Sequence, residues 1–195
     1  MRTLLGALGG LALAGCTTQN PALPPLVAGN RAAPMAPTTS PDDLGQFRGA
    51  LREPLSFEVK RYPDGSPYTV ASDRGSVVLL DVWATWCEPC RDALPIYEQL
   101  AKEYGSKGLK VYALNVDEDS RAIPPFLQET KVSLPILVDA NAQVAEKTLG
   151  VKMMPTTFIL DSEGVVRFVH EGFSETFLQQ YQTEIEQLLQ EKGKR

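Results

Sequence analysis

Val77-Val78-Leu79-Leu80-Asp81-Val82-Trp83 is an almost unbroken apolar and β-branched run, and four residues past its end stands Cys87-Glu88-Pro89-Cys90. A run without polar alternation suits a strand buried on both faces of a parallel sheet. Beyond the cysteines, Leu94, Tyr97, Leu100, Ala101 and Tyr104 recur at helical spacing, and Gly105 and Gly108 close the pattern. The cysteine pair is therefore expected between a buried strand and a helix start. Orphan N–H groups and the helix dipole stabilise a thiolate there, so Cys87 should ionise below the ordinary thiol range of about 8.5. Cys90, one turn inside, is placed to attack a mixed disulfide formed on Cys87. The residue types alone also admit a permanent disulfide or half of a metal site. A zinc site normally needs a second cysteine pair, and the chain has three cysteines and one histidine in all.

The rest of the chain reads as α/β. Leu55 to Lys60 and Pro67 to Ala71 alternate around a Pro63-Asp64-Gly65 turn signal and predict an N-terminal hairpin. Strands are expected over 109–116, 134–138, 156–160 and 165–170, the last two joined by Asp161-Ser162-Glu163-Gly164. Helices are expected over 119–130 and 142–149. A closing helix after Ser174 carries Phe177, Tyr181, Ile185 and Leu188 on one stripe, with Thr176, Glu184 and Glu186 pointing outward. No repeat is visible, so residues 46–193 read as one domain with a central mixed sheet covered by helices on both faces.

The start of the chain is different. Met1-Arg2 followed by the short apolar run Leu4 to Leu13 is a secretory signal pattern, too short to span a bilayer. It ends in Leu13-Ala14-Gly15-Cys16, which resembles a bacterial lipobox. Residues 1–15 are then a signal peptide, and Cys16 carries lipid. Thr17 to about Asp43 is rich in Pro, Ala and Thr, so residues 16–45 read as the lipidated Cys plus a semi-extended tether. A net charge of −5 without basic clusters argues against a nucleic-acid partner.

Val82-Trp83-Ala84-Thr85-Trp86-Cys87-Glu88-Pro89-Cys90 resembles the active-site strand and helix start of thioredoxins. Met154-Pro155-Thr156-Thr157-Phe158-Ile159-Leu160-Asp161 resembles their cis-proline loop and following strand. The extra αβ piece between Asp117 and Asp139, with the lipoprotein-like start, is similar to the extracytoplasmic TlpA/ResA-like redoxins. The resemblance implies a thioredoxin-like fold and a thiol:disulfide oxidoreductase whose redox centre is the Cys87–Cys90 pair, with no other cofactor and no metal. It implies protein disulfides as substrates, a membrane electron donor, and a place on the periplasmic side, anchored through Cys16. Apocytochrome c cysteines and copper-site thiols are the kinds of target it suggests.

The same resemblance assigns Pro155 to the loop facing the sulfurs, Met154 to the position before it, Trp86 to the tryptophan packed against the active-site helix, and Asp81 to the buried acid. Within an apolar strand Asp81 should be desolvated, its pKa raised, and able to exchange a proton with Cys90. Trp83 reads as core. Three departures stand out. Ala113 occupies the place where thioredoxins often carry a lysine. Glu88-Pro89 replaces Gly-Pro, and a carboxylate beside the sulfurs favours a reductant. Met154, preceded by Met153, occupies the position before the proline, where a β-branched residue is common.

Those methionines support an alternative, a Cu(I)-binding protein using Cys87, Cys90 and Met153 or Met154. Proteins of the Sco type use three residues between their cysteines and a distant His, whereas the spacing here is two, and His170 reads as an exposed strand residue. An oxidase or isomerase running in the opposite direction is a further alternative. A peroxidase is disfavoured, because Thr85 and Arg91 do not reproduce peroxiredoxin spacing.

Overall fold

β3 (Val77–Trp83) is the centre of the molecule, with all seven of its residues buried. The computed structural model describes residues 53–174 and 176–194; the signal, Cys16 and the whole tether lie outside them. The other strands are β1 (Glu58–Arg61), β2 (Pro67–Thr69), β4 (Leu109–Asn115), β5 (Ile136–Val138), β6 (Thr156–Leu160) and β7 (Val166–Glu171). They form one mixed sheet in the order β2-β1-β5-β4-β3-β6-β7. β3 runs parallel to β4 and antiparallel to β6, so its backbone hydrogen bonds are satisfied on both edges. The N-terminal hairpin forms as the alternation predicts, pairing Val59 with Tyr68, and its strand β1 then adds to β5.

Alternation along β3 divides two cores. Val77, Leu79 and Trp83 face the layer of α1 (Glu88–Tyr104), α2 (Ile123–Thr130) and α3 (Phe177–Gly193). Val78, Leu80 and Val82 face Leu55, Phe57, Tyr68, Leu137, Ala145 and Leu149 on the other side. Burying a leucine on either face is worth roughly 1.5–3 kcal/mol, and together these faces hold β3 in place.

Two predicted helices take other forms. The first turn of the 119–130 segment is a 3-10 turn over Ser120–Ala122, because the Asp119 carboxylate accepts the Arg121 N–H at 2.9 Å and tightens it. The 142–149 segment is one π-helical turn over Val144–Thr148. There Asp139 accepts the Val144 and Ala145 N–H groups at 3.1 and 2.7 Å, and Asn141 and Ala142 both take positive φ.

Two expectations fail together. His170 is buried, not exposed, and Glu184 points inward from α3. His170 Nε2 lies 2.7 Å from Glu184 Oε2, and the His170 ring packs edge-on against Tyr181. Either polar group alone would be too costly to bury, and each is tolerated because it meets the other.

The two ends of the sheet differ. β3 starts beside the β6–β7 turn, where Gly75 donates to Ser162 O at 2.8 Å and Leu55 donates to Gly164 O at 2.9 Å. β3 finishes beside the head of β6, where Val82 pairs with Thr156.

Candidate functional site

The site is built where β3 ends and α1 begins. Cys87 is the N-cap of α1, Glu88 and Pro89 are its first two residues, and Cys90 completes the first turn. A proline there lacks an N–H that would be unpaired anyway, and its fixed φ suits the helix start. The two cysteines are bonded, with an S–S distance of 2.03 Å. Cys87 is 5% exposed and Cys90 not at all, so an incoming sulfur meets Cys87 first.

The loop that carries Cys87 is held from the next strand. Asp117 accepts the Thr85 N–H through both carboxylate oxygens, at 3.1 and 3.3 Å, and is itself gripped by Asn115 Nδ2 at 2.8 Å. The sequence reading assigns no site role to Asn115 or Asp117, the latter entering it only as the boundary of the extra αβ piece. Their spacing, an amide and an acid two apart at a strand end, is the signal of a local side-chain link.

Pro155 heads β6 behind a cis Met154–Pro155 peptide, and its carbonyl accepts the Gly172 N–H at 2.8 Å. The pairing of Val82 with Thr156 sets Pro155 at the sheet end where β3 delivers Cys87. Met154 is half-buried and packs against both cores, whereas Met153 is exposed.

Asp81 lies on the α1/α3 face of β3 with no exposure. Oδ1 accepts the Thr157 hydroxyl at 3.0 Å, and Oδ2 has no hydrogen-bond partner among the described residues. Burial pushes this carboxyl well above its ordinary range, and the Thr157 hydrogen bond, with the Tyr97 hydroxyl nearby, pulls part of the way back. Its partner on β4 is Ala113, so no cation approaches from that strand. Around Thr157 stand two more hydroxyls, Tyr97 at 2.7 Å and Tyr181 at 3.5 Å, the last two being 3.2 Å apart.

Other expected site residues fall differently. Trp86 is 70% exposed at the solvent side of the loop, so it is not the packed tryptophan that the resemblance implied. Trp83 is the buried tryptophan, stacked at 4.9 Å on Phe126. The Glu88 side chain is 89% exposed, 3.7 Å from Arg91. Water screens a carboxylate so placed, which weakens the charge argument for its effect on the sulfurs. Arg91 is engaged by Glu129 at 3.0 Å and lies over the Phe126 ring. His170, held by Glu184, is not presented to the cysteines as a ligand. Among the described residues, no three of His, Cys, Asp and Glu cluster as a metal site.

The AhpC/TSA family model matches residues 53–169. A thioredoxin-like protein of Bacillus subtilis, YneN, is 36% identical over 125 residues, covering 59% of this chain and 72% of its own length. The thiol-disulfide oxidoreductase ResA of Bacillus thuringiensis subsp. konkukian is 32% identical over 103 residues, covering 53% of this chain. The match spans 59% of that ResA's own length. Among solved structures, one from Chlorobium tepidum, assigned as a thiol:disulfide interchange protein DsbE, superposes with a TM-score of 0.65 at 30% identity. That superposition covers 70% of this chain and 95% of the other.

Proposed function

The chain belongs to the AhpC/TSA family, among its ResA-like redoxins, and from that premise we propose a membrane-anchored thiol:disulfide oxidoreductase that reduces protein disulfides outside the cytoplasm. The observation that carries the reading is the Cys87–Cys90 pair at the N-terminus of α1, with a buried carboxylate on the strand that delivers it.

In the reduced protein, the Cys87 thiolate attacks one sulfur of a substrate disulfide. A mixed disulfide forms, and the first substrate thiolate leaves. Cys90 then attacks Cys87 Sγ, gives its proton to Asp81, and expels the second substrate thiolate. Two electrons pass to the substrate, and the Cys87–Cys90 disulfide remains. A dithiol donor at the membrane restores it, Asp81 returning the proton to Cys90.

The lipobox-like Leu13-Ala14-Gly15-Cys16 supports anchoring through lipid on Cys16, and the Pro-rich segment after it supports a tethered domain. Cysteines of apocytochromes c or copper-site proteins are the proposed clients, because an oxidising compartment closes such pairs unless a reductase keeps them open.

The test is the reduction potential of Cys87–Cys90 against glutathione and dithiothreitol buffers. A value at or below about −250 mV supports the reductant. A value between about −120 and −180 mV reverses the direction of electron flow and makes the protein an oxidant or isomerase.

A further inference from the structure

We propose that Thr157 is a positioning residue for Asp81: its hydroxyl, fed by those of Tyr97 and Tyr181, fixes Oδ1 and leaves Oδ2 as the oxygen that takes and returns the proton. The inference deepens the proposed function and rests on its assignment of Asp81 as the partner of Cys90.

With Asp81 ionised, the first hydrogen bond has a fixed direction, and the shorter contacts order the rest. An ionised Asp81 only accepts, so the single Thr157 hydroxyl proton goes to Oδ1, at 3.0 Å. Thr157 Oγ1 then has lone pairs to spare and accepts from Tyr97, at 2.7 Å. Tyr97 in turn accepts from Tyr181, at 3.2 Å. Three elements, β6, α1 and α3, thus supply one hydroxyl each to a chain that ends on one carboxylate oxygen.

Register makes the placement firm. Asp81 and Thr157 are direct partners across β3 and β6, so the donor cannot drift from the acceptor without slipping the sheet. The remaining neighbours are accounted for, His170 and Glu184 reaching this chain only through Tyr181. Ala113 faces Asp81 from β4, and His170, the β7 partner of Thr157, is paired with Glu184 of α3. From α1 come Tyr97 and Cys90, and in the oxidised protein Cys90 is bonded to Cys87.

The functional consequence concerns reorganisation. Oδ2 is buried and has no hydrogen-bond partner among the described residues. When a proton arrives there, Oδ1 becomes carbonyl-like and still accepts from Thr157. Asp81 can therefore gain or lose its proton while every hydroxyl keeps its orientation, the preorganisation that favours proton transfer in a water-poor site.

The experiment follows the Asp81 carboxyl carbon by NMR across pH in the oxidised full-length protein, where Cys87 and Cys90 do not titrate. Thr157→Val, which keeps the shape and removes the donor, should move the Asp81 midpoint upward by about one to two pH units. Thr157→Ser should restore it to within a few tenths of a pH unit, and Tyr97→Phe should raise it by less than Thr157→Val does. Should Thr157→Val not fold, Tyr97→Phe carries the same test.

The pH profile of insulin reduction by the same variants should shift in the same direction. A midpoint that stays put in every folded variant lacking one of these hydroxyls overturns the inference. A midpoint that moves while the reduction profile stays fixed supports Thr157 as the positioner of Asp81 and overturns the proton role given to Asp81 above.

Discussion

Asp117 holds the backbone N–H of Thr85, two residues before Cys87, with both oxygens of its carboxylate. The loop bearing the reactive sulfur is thus tied to the end of β4 and not only to its own strand and helix. Asp117→Ala should leave the fold intact at a cost of about 1–3 kcal/mol, the usual loss for hydrogen bonds to a charged group. Insulin reduction should slow several-fold, because Cys87 is no longer held at the approach geometry. Urea melts beside the reduction assay check both halves, and a variant as fast as the parent would remove Asp117 from the site.

The two cysteines should fail in different ways. Cys87→Ser and Cys90→Ser should each abolish insulin reduction. Only Cys90→Ser should accumulate a mixed disulfide with a substrate protein, visible on a non-reducing gel, because the more accessible sulfur is the one retained. Trapping through Cys90 instead would exchange their roles.

Asp81 makes a prediction about stability as well as rate. Its carboxyl titrates well above the usual range in the folded protein. The native state therefore binds more protons than the unfolded state from about pH 4 up to that raised midpoint, and stability falls as pH rises through this window. Asp81→Asn should remove the penalty. The oxidised variant should melt higher than the parent at neutral and alkaline pH, with the gain vanishing toward pH 4. Exchange at neutral pH should slow together with this stabilisation. A variant with unchanged rates at every pH would reduce Asp81 to a structural liability.

His170 and Glu184 form a buried pair remote from the sulfurs in role. His170→Ala and Glu184→Ala should each cost roughly 3–5 kcal/mol, since each leaves the other polar group buried without its partner. His170→Phe combined with Glu184→Leu should recover most of that loss. Reduction rates of whatever remains folded should match the parent, and denaturant melts of the three variants decide the point.

Glu88 tests the charge argument read from the motif. Its carboxylate is exposed and beside Arg91, so Glu88→Gln should move the reduction potential of the pair by no more than about 15 mV, or half a tenfold step. A larger shift would show that the field of this side chain reaches the sulfurs despite its exposure.

What could be read from the chain alone was what local pattern controls. The unbroken run of β3, the alternation of β1 and β2, and the Asp161–Gly164 turn each declare an element without knowledge of its neighbours. The Cys-Glu-Pro-Cys segment declared its own helix cap. Features that depend on long-range register were out of reach. Thr157 matters because β6 pairs antiparallel with β3, and nothing near residue 157 encodes that partner. His170 and Glu184 each look like solvent-facing residues until α3 is laid on the sheet. Trp86 was placed by resemblance to a packed tryptophan, whereas the packed ring is Trp83, the last residue of β3, which the sequence reading already gave to the core.

Leu55 joins the fold at the β6–β7 turn, and the sulfurs emerge at the other end of β3, a strand of about 23 Å at the usual rise. The described chain therefore enters the sheet at one pole and offers its reactive sulfur–sulfur bond at the opposite one.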